Sequence, residues 1–225
     1  MPHVSLPRPR TLLLLALPLI MLPLTSCQRP RPASTTSQTA PSSGRLIFED
    51  DFERRGLGGS WKTQSDTWRI IDGRVADEGA KNRGLWLKRA LPDEVRIEFD
   101  AWSLTPPDGG PFRGDMKCEA FGASLSHQSG YVFIFGGWEN RLSVVARRDE
   151  HANDRQEKRG TKVEAGRRYH WTILRQSGRL TWLLDGETHM SYEDPNPVGG
   201  TAFGFNNWIS NLRFDNLKIY DLKTQ

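Results

Sequence analysis

Cysteine, long apolar runs and an excess of one charge are all scarce in this sequence of 225 residues. Two cysteines are too few for a disulfide scaffold or a cysteine-rich zinc module. Only 36% of the residues are hydrophobic, and no apolar run reaches the roughly 20 residues of a membrane-spanning helix, which excludes a polytopic membrane protein. The 31 lysines and arginines barely exceed the 27 acids, so no nucleic-acid partner is expected.

The first segment, residues 1–27, has the features of a lipoprotein signal peptide. Arg8 and Arg10 precede the apolar run Leu12–Leu24, which suits a secretory leader and is too short to cross a bilayer. Small residues then precede Cys27, in a pattern that resembles the bacterial box whose cysteine is lipidated and becomes the first mature residue. We predict a bilayer anchor through acylated Cys27; the alternative is an ordinary signal peptide with a chance cysteine.

The next segment, residues 28–44, is rich in Pro, Ser and Thr and has no apolar residue larger than Ala, which predicts a tether. Gln28 replaces the Asp that retains such lipoproteins at the inner membrane, so export to the outer membrane is favoured over the inner one. The remainder, residues 45–225, contains no stretch of linker composition and is predicted to be one monomeric domain.

Apolar and polar residues alternate with period two along most of this domain. The segment Val95–Trp102 is a clear example, and Asp-Gly pairs at Asp72 and Asp185 indicate tight hairpins. The run Tyr131–Phe135 is apolar on both faces, as expected of a central strand. About a dozen such strands with no long amphipathic helix predict an all-β fold of two antiparallel sheets packed face to face.

Several segments resemble the concanavalin A-like lectin/glucanase superfamily, including its laminin-G-like members. They are LIFEDDF at the start of the domain, the hairpins TWRIIDGRV and LTWLLDGE, and FGFNN with FDNLKIYDL at the end. The resemblance covers nearly all of residues 45–225. It implies a two-sheet jelly-roll sandwich whose last strand lies near its first. The superfamily includes glucanases, lyases, lectins and carbohydrate-binding modules, so the fold alone does not assign a function.

The segment around Asp115, Lys117 and Glu119 places three charged residues on one strand face, with apolar residues on the other. In laminarinase-type glycosidases of the superfamily, a strand carries three acids at this spacing. Here the middle residue is Lys117, which would lower the pKa of both neighbouring acids and impair a proton donor. A salt-bridged, solvated face is therefore favoured over a catalytic site; the alternative is a hydrolase or lyase using Glu119 with Asp115 or a histidine such as His127.

Two turns combine tryptophan with asparagine. One contains Trp138 and Asn140, and the other contains Asn207 and Trp208. The flat face of a sugar ring stacks on an exposed indole while its hydroxyl groups bind polar side chains, so these residues are candidate carbohydrate ligands. Packing of the two tryptophans at the edges of the sandwich is an equally good interpretation. Two basic side chains, Lys117 and Arg147, are further candidates for hydrogen bonds to sugar hydroxyls.

Metal sites receive weaker support. Relatives of this fold hold a structural calcium ion where the first and last strands meet, and Asp50, Asp51 and Asp215 fall in the matching stretches. No cofactor is required by any other feature. The charged segment 147–160 is predicted to be a solvated loop, although its Asp149, His151 and Asp154 could together meet a metal.

Three functions of different class remain. The one we favour is an envelope-anchored lipoprotein whose sandwich binds carbohydrate. The second is the glycan hydrolase or lyase described above, for which no complete catalytic set can be assembled. The third is a structural envelope lipoprotein without a ligand. Two isolated histidines, His127 and His170, could each serve as a general base, but local hydrogen bonding is their commoner role.

Overall fold

A computed structural model describes residues 44–223, so Cys27, the leader and most of the tether lie outside the described residues. The described chain forms fifteen β-strands. They are β1 (Arg45–Asp50), β2 (Trp61–Thr63), β3 (Arg69–Ile71), β4 (Arg74–Asp77), β5 (Leu85–Leu87), β6 (Val95–Leu104), β7 (Met116–Gly122), β8 (Tyr131–Gly136), β9 (Leu142–Arg147), β10 (Gln156–Arg159), β11 (Tyr169–Gln176), β12 (Arg179–Leu184), β13 (Glu187–Glu193), β14 (Ala202–Asn206) and β15 (Asn211–Asp221).

The strands build two antiparallel sheets, which confirms the predicted all-β jelly-roll sandwich. Sheet A has eight strands in the order β13-β12-β11-β6-β15-β4-β3, with β1 also paired to β15. Sheet B has seven strands in the order β10-β9-β8-β7-β14-β5-β2. Pairing of the first strand with the last is the arrangement that the superfamily resemblance implies. Between residues 44 and 223, no helix is long and apolar enough to cross a bilayer.

Both Asp-Gly hairpins form where the sequence predicts them. Asp72 and Gly73 join β3 to β4 with φ angles of 51° and 70°. Asp185 and Gly186 join β12 to β13 with φ angles of 51° and 82°. Two successive residues with positive φ give the turn whose twist matches that of antiparallel strands.

Aromatic side chains fill the space between the sheets. Phe205 of β14 stacks on Phe214 of β15 at 4.3 Å between ring centroids, and Phe99 of β6 contacts both rings. On β7, alternate residues enter this core, as predicted: Met116, Cys118 and Ala120 are fully buried there. Burial, together with the neighbouring Glu119 charge, raises the pKa of the Cys118 thiol well above its usual value.

The outer face of sheet B is also covered, which corrects the prediction of a solvated face. Lys117 and Glu119 point away from the core, yet only 2% and 1% of these residues are exposed. A second apolar cluster lies on the same face, formed by Val132, Ile134, Leu142, Val144 and Ala146, with Trp138 packed against it. Loops distant in sequence cover this face, so strand alternation alone could not predict its burial.

The charged segment 147–160 is only partly a loop. Gln156–Arg159 forms β10 and pairs with β9 at the edge of sheet B. This strand has no apolar residue and was therefore not predicted from hydrophobic alternation. Charged side chains at a sheet edge oppose unwanted pairing with another chain, which suits its position.

A candidate carbohydrate groove

A groove of about 410 Å³ opens on the outer face of sheet B, within the size range of small-ligand sites. Its floor is formed by Lys117 of β7 and Ile134 of β8, which are cross-strand neighbours. Asp115 and Arg113 lie just before β7 and line the groove at that end. The groove thus combines an apolar floor residue with several hydrogen-bonding groups.

The groove lies between two walls that flank the start of β7. The Trp208 wall consists of Trp208 and Ile209, which follow β14, and of Asn82 from the loop between β4 and β5. The Trp138 wall consists of Trp138 and Glu139, which follow β8, and of Glu150 and His151 from the loop between β9 and β10. Because β8 and β14 both run antiparallel to β7, their carboxyl ends lie at the same edge of the sheet. Sheet topology therefore brings two tryptophans that are far apart in sequence to one site.

Trp208 is the exposed aromatic group of the groove. Its exposed fraction is 46%, and among the described residues only Leu46 is another large hydrophobic residue with comparable exposure. The backbone beneath it is held firmly: Asn207 donates from Nδ2 to Asp77 Oδ2 at 2.5 Å and accepts from Ser210 N at 2.9 Å. The ring is therefore presented to solvent by a rigid turn, as stacking on a ligand requires.

Trp138 is presented differently. It lies in the turn Gly137–Asn140, where Trp138, Glu139 and Asn140 have φ angles of 50°, 59° and 60°. Left-handed backbone of this kind costs roughly 1–2 kcal/mol per residue, so other contacts must hold it. The Asn140 side chain does so, because it exchanges two hydrogen bonds of 2.8 Å with the backbone of Val163.

The Trp138 ring is already in contact with other side chains of the protein. The Arg155 guanidinium lies 4.6 Å from the ring centroid, and the His151 ring meets it edge-on at 5.7 Å. The ring also packs against the outer apolar cluster of sheet B. Trp138 is thus a partly buried wall, whereas Trp208 has free surface for stacking. Both residues stand beside an asparagine in a turn, so these two roles could not be distinguished from the sequence.

The predicted trio of β7 is divided between two environments. Asp115 and Lys117 line the groove, and burial raises the pKa of the Asp115 carboxyl although Lys117 opposes the shift. Glu119 lies elsewhere on the face, where its Oε1 contacts His127 Nδ1 at 2.7 Å and its Oε2 accepts from Gln128 N at 2.8 Å. Asn206 Nδ2 also donates to Glu119 Oε1. The Glu119 carboxylate therefore has three partners within the protein, two at Oε1 and one at Oε2.

Three of the remaining candidate ligand residues make contacts inside the protein. Asn140 holds the left-handed turn, and Asn207, which is fully buried, holds the turn that carries Trp208. Arg147 pairs with Asp194 at 3.0 Å and donates to the carbonyl of Asn196. None of these three lines the groove. Two residues that sequence reasoning missed, Asn82 and Glu150, do line it; each lies in a loop with no distinguishing motif.

The acids that the superfamily resemblance assigns to calcium are engaged in other contacts. Both oxygens of Asp50 accept from Arg54, at 2.5 and 2.8 Å, and one also accepts from Trp61 Nε1. Burial would raise the pKa of Asp50, but these hydrogen bonds outweigh it and the pKa is lowered. Asp51 is exposed, and burial raises the pKa of Asp215. These contacts fit an ion-paired strand junction better than a calcium site.

The loop acids show a similar local role. Asp149 Oδ1 accepts from His151 N at 2.8 Å, which stabilises the turn Asp149–Ala152, and Asp154 lies in the turn that follows. In the part of the chain that the structure describes, no group of three or more His, Cys, Asp or Glu side chains is placed to hold a metal ion.

His170 lies on the outer face of sheet A, away from the groove. Its Nδ1 donates to Asp100 Oδ1 at 2.9 Å, and this hydrogen bond raises the pKa of His170. Burial would raise the pKa of Asp100, but hydrogen bonds from His170 and Asn216 outweigh it and lower the pKa. The pair is a partly exposed structural ion pair, with no nucleophile bonded to the imidazole.

This pair makes stability depend on pH. Because the folded-state pKa of His170 is raised, its contribution is fully present below the unfolded-state value of about 6.5 and is lost as pH rises through the folded-state value. We expect the difference in unfolding free energy between wild type and His170→Gln to be larger at about pH 5.5 than at about pH 8.5. Urea unfolding at the two pH values measures it, and an equal difference at both would contradict the assignment.

Comparison with known proteins identifies the fold. No protein-family profile matches the chain, and no curated protein sequence matches it. Among solved structures, the carbohydrate-binding module CBM66 from Bacillus subtilis aligns with a TM-score of 0.58 and 17% identity over 74% of this chain and 98% of that chain. The VIP36 exoplasmic/lumenal domain in a Ca²⁺/Man-bound form aligns with a TM-score of 0.60 and 10% identity over 79% of this chain and 91% of that chain.

A third structure comes from work on gut-microbiota endo-acting O-glycanases that initiate mucin breakdown; its TM-score is 0.58, at 14% identity over 80% of this chain and 100% of that chain. Identities this low establish the fold alone. The protein has a concanavalin A-like jelly-roll fold, as its sequence predicts.

Proposed function

We propose that the protein binds carbohydrate in the groove on sheet B. The observation that carries the proposal is the exposed Trp208 ring, which stands on a rigid turn beside several hydrogen-bonding groups of the groove. An exposed indole loses apolar hydration when a sugar ring stacks on it, and nearby polar groups satisfy the sugar hydroxyls. The side chains of Asp115 and Asn82 are placed to make such hydrogen bonds from the groove lining.

The similar structures support the same proposal. CBM66 is a carbohydrate-binding module, and the VIP36 domain was solved in a Ca²⁺/Man-bound form. The proposal for this chain is limited to a glycan ligand, because the ligands of those proteins need not be shared at identities of 17% and 10%.

A glycan array probed with the fluorescently labelled protein tests the proposal. We expect binding to a restricted set of glycans, which free oligosaccharide of the same type abolishes. The array should include bacterial, plant and host glycans. The proposal would be contradicted if wild type gave no more fluorescence than the Trp208→Ala variant on every spot. Any glycan that binds is then incubated with the protein and analysed for cleavage products, which tests the hydrolase or lyase alternative.

The hydrolase or lyase alternative has less support from the site. It needs Glu119 together with Asp115 or a histidine at one substrate, but Glu119 does not line the groove, whereas Asp115 and His151 do. Glu119 does contact His127, whose side chain is 20% exposed, so a buried carboxylate orients an accessible imidazole. Neither Glu119 nor His127 lines the groove, and no nucleophile is hydrogen-bonded to the imidazole. We therefore favour carbohydrate binding over hydrolase or lyase activity.

We further propose that the domain is an outer-membrane lipoprotein anchored through Cys27. The support is the leader pattern of residues 1–27 and the Pro/Ser/Thr-rich segment 28–44, which would hold the domain away from the lipid surface. A purely structural envelope lipoprotein is the remaining alternative. Absence of any ligand on the array together with a lipid anchor would favour it.

Cys27→Ser tests the anchor. The variant should incorporate no palmitate analogue during metabolic labelling and should leave the membrane fraction or accumulate as an uncleaved precursor. Wild type should be labelled and remain with membranes after a high-salt wash, because several acyl chains anchor stably. Cys118→Ser, which removes the buried thiol, is the matched control and should be labelled like wild type. Label that persists on Cys27→Ser would contradict the lipoprotein proposal.

A further inference from the structure

The Lys117 ammonium group lies beneath the groove and is bonded to both of its walls. Only 2% of the residue is exposed. Its Nζ donates to Asn82 Oδ1 at 3.0 Å, and it pairs with Glu150 Oε2 at 2.8 Å. Asn82 belongs to the loop between β4 and β5, and Glu150 to the loop between β9 and β10. One buried cation therefore connects two loops that are far apart in sequence.

The first connection leads to Trp208. The backbone N–H of Asn82 donates to the carbonyl of Asn207 at 2.8 Å, and the N–H of Lys81 donates to the carbonyl of Trp208 at 2.9 Å. The side chain of Asn82 is held by Lys117 and its backbone is held by the Trp208 turn. Displacement of Asn82 would therefore move the Trp208 wall relative to the floor.

The second connection leads to Trp138. The carbonyl of Glu150 accepts from Arg155 Nη1 at 2.8 Å, and the same guanidinium lies 4.6 Å from the centre of the Trp138 ring. The next residue, His151, contacts the edge of that ring. The Glu150 carboxylate thus fixes the loop segment that holds the Trp138 ring in place.

Stability alone does not explain why a charged residue is buried at position 117. Burying an ion pair costs several kcal/mol of desolvation per ion, and replacing such a pair by apolar residues is often neutral or stabilising. The cross-strand neighbour Ile134 shows that an apolar side chain fits this face. Unlike an apolar side chain, the Lys117 ammonium group makes directional contacts, and these orient the side chains of Asn82 and Glu150.

We propose that Lys117 is a positioning residue that sets the separation of the Trp138 and Trp208 walls, and that it acts on the ligand through them. Its contacts with the two walls do not depend on what binds there. Its importance for binding rests on the proposed carbohydrate function. Loss of the lysine should release both walls together, whereas loss of one partner should release mainly one wall.

Fluorine NMR of the full chain in detergent, labelled with 5-fluorotryptophan, tests this without any ligand. The sequence has eight tryptophans, and Trp138→Phe and Trp208→Phe assign the two signals of interest. Lys117→Met should shift or broaden both signals. Glu150→Gln should affect the Trp138 signal more than the Trp208 signal, and Asn82→Ala should do the reverse. Lys62→Met, on an exposed position of the same sheet, is the control and should change neither.

A folded Lys117→Met variant with both signals unchanged would overturn the proposal, and so would reversed preferences of the two partner variants. If Lys117→Met does not fold, the Glu150→Gln and Asn82→Ala spectra decide alone. For any glycan that binds, we expect Lys117→Met to weaken affinity at least tenfold. Normal affinity together with shifted signals would contradict the link to binding, whereas an absence of glycan binding in wild type would contradict only the proposed function.

Discussion

Trp208→Ala should weaken glycan binding by about 1–3 kcal/mol, a loss of roughly 5–150-fold in affinity, while leaving the fold intact. The effect is large because the ring is the exposed aromatic surface of the groove. Stability should change little because 46% of the residue is already exposed. Calorimetric titration with the strongest glycan from the array measures the affinity, and urea unfolding measures the stability.

Two further variants separate stacking from general surface effects. Leu46→Ala removes the other large hydrophobic residue that is exposed within residues 44–223, on β1 in sheet A, and should leave affinity unchanged. Trp138→Ala should lower affinity and stability together, because this ring packs against the outer apolar cluster and carries the Arg155 contact. Wild-type affinity in Trp208→Ala would mean that this tryptophan has no part in ligand binding.

Glu119→Ala should lower the free energy of unfolding by about 3 kcal/mol or more. The substitution leaves the buried Asn206 amide and the part-buried Gln128 N–H without their acceptor, at about 1–3 kcal/mol for each unsatisfied group, and it also removes the contact with the partly exposed His127. Urea unfolding followed by near-ultraviolet circular dichroism measures the loss. The prediction follows from burial, since only 1% of Glu119 is exposed.

Glu193→Ala provides the comparison for this effect. Glu193 also lies on a strand, β13, but its side chain is 74% exposed and its pair with Arg179 is a surface contact. Such pairs contribute about 0–1 kcal/mol, so this variant should remain close to wild type. If Glu119→Ala were as stable as Glu193→Ala and instead abolished turnover of a glycan, Glu119 would be catalytic and the structural assignment would be contradicted.

The strands could be predicted because their causes are local. Alternation placed Cys118 in the core and Lys117 on the opposite face, as the structure shows. The Asp-Gly pairs at Asp72 and Asp185 defined two hairpins from turn chemistry alone. The apolar run of β8 indicated burial on both faces, and the structure places it inside sheet B with covered faces.

The groove could be predicted only in part because its causes are distant in sequence. Trp138 and Trp208 look alike beside their asparagines, and only tertiary contacts show that Arg155 lies against one of them. Asn207 looked like a ligand residue but is buried against Asp77. Burial of Lys117 depends on a loop residue, Glu150, that no local pattern connects with β7.

The crystal structure of the protein with its strongest-binding oligosaccharide tests the central claim most directly. We expect a sugar ring stacked on Trp208, with hydroxyl groups hydrogen-bonded to Asp115 or Asn82 at the floor and wall of the groove on sheet B. An oligosaccharide bound at any other surface, with the groove free of sugar, would contradict the claim that this groove is the carbohydrate site.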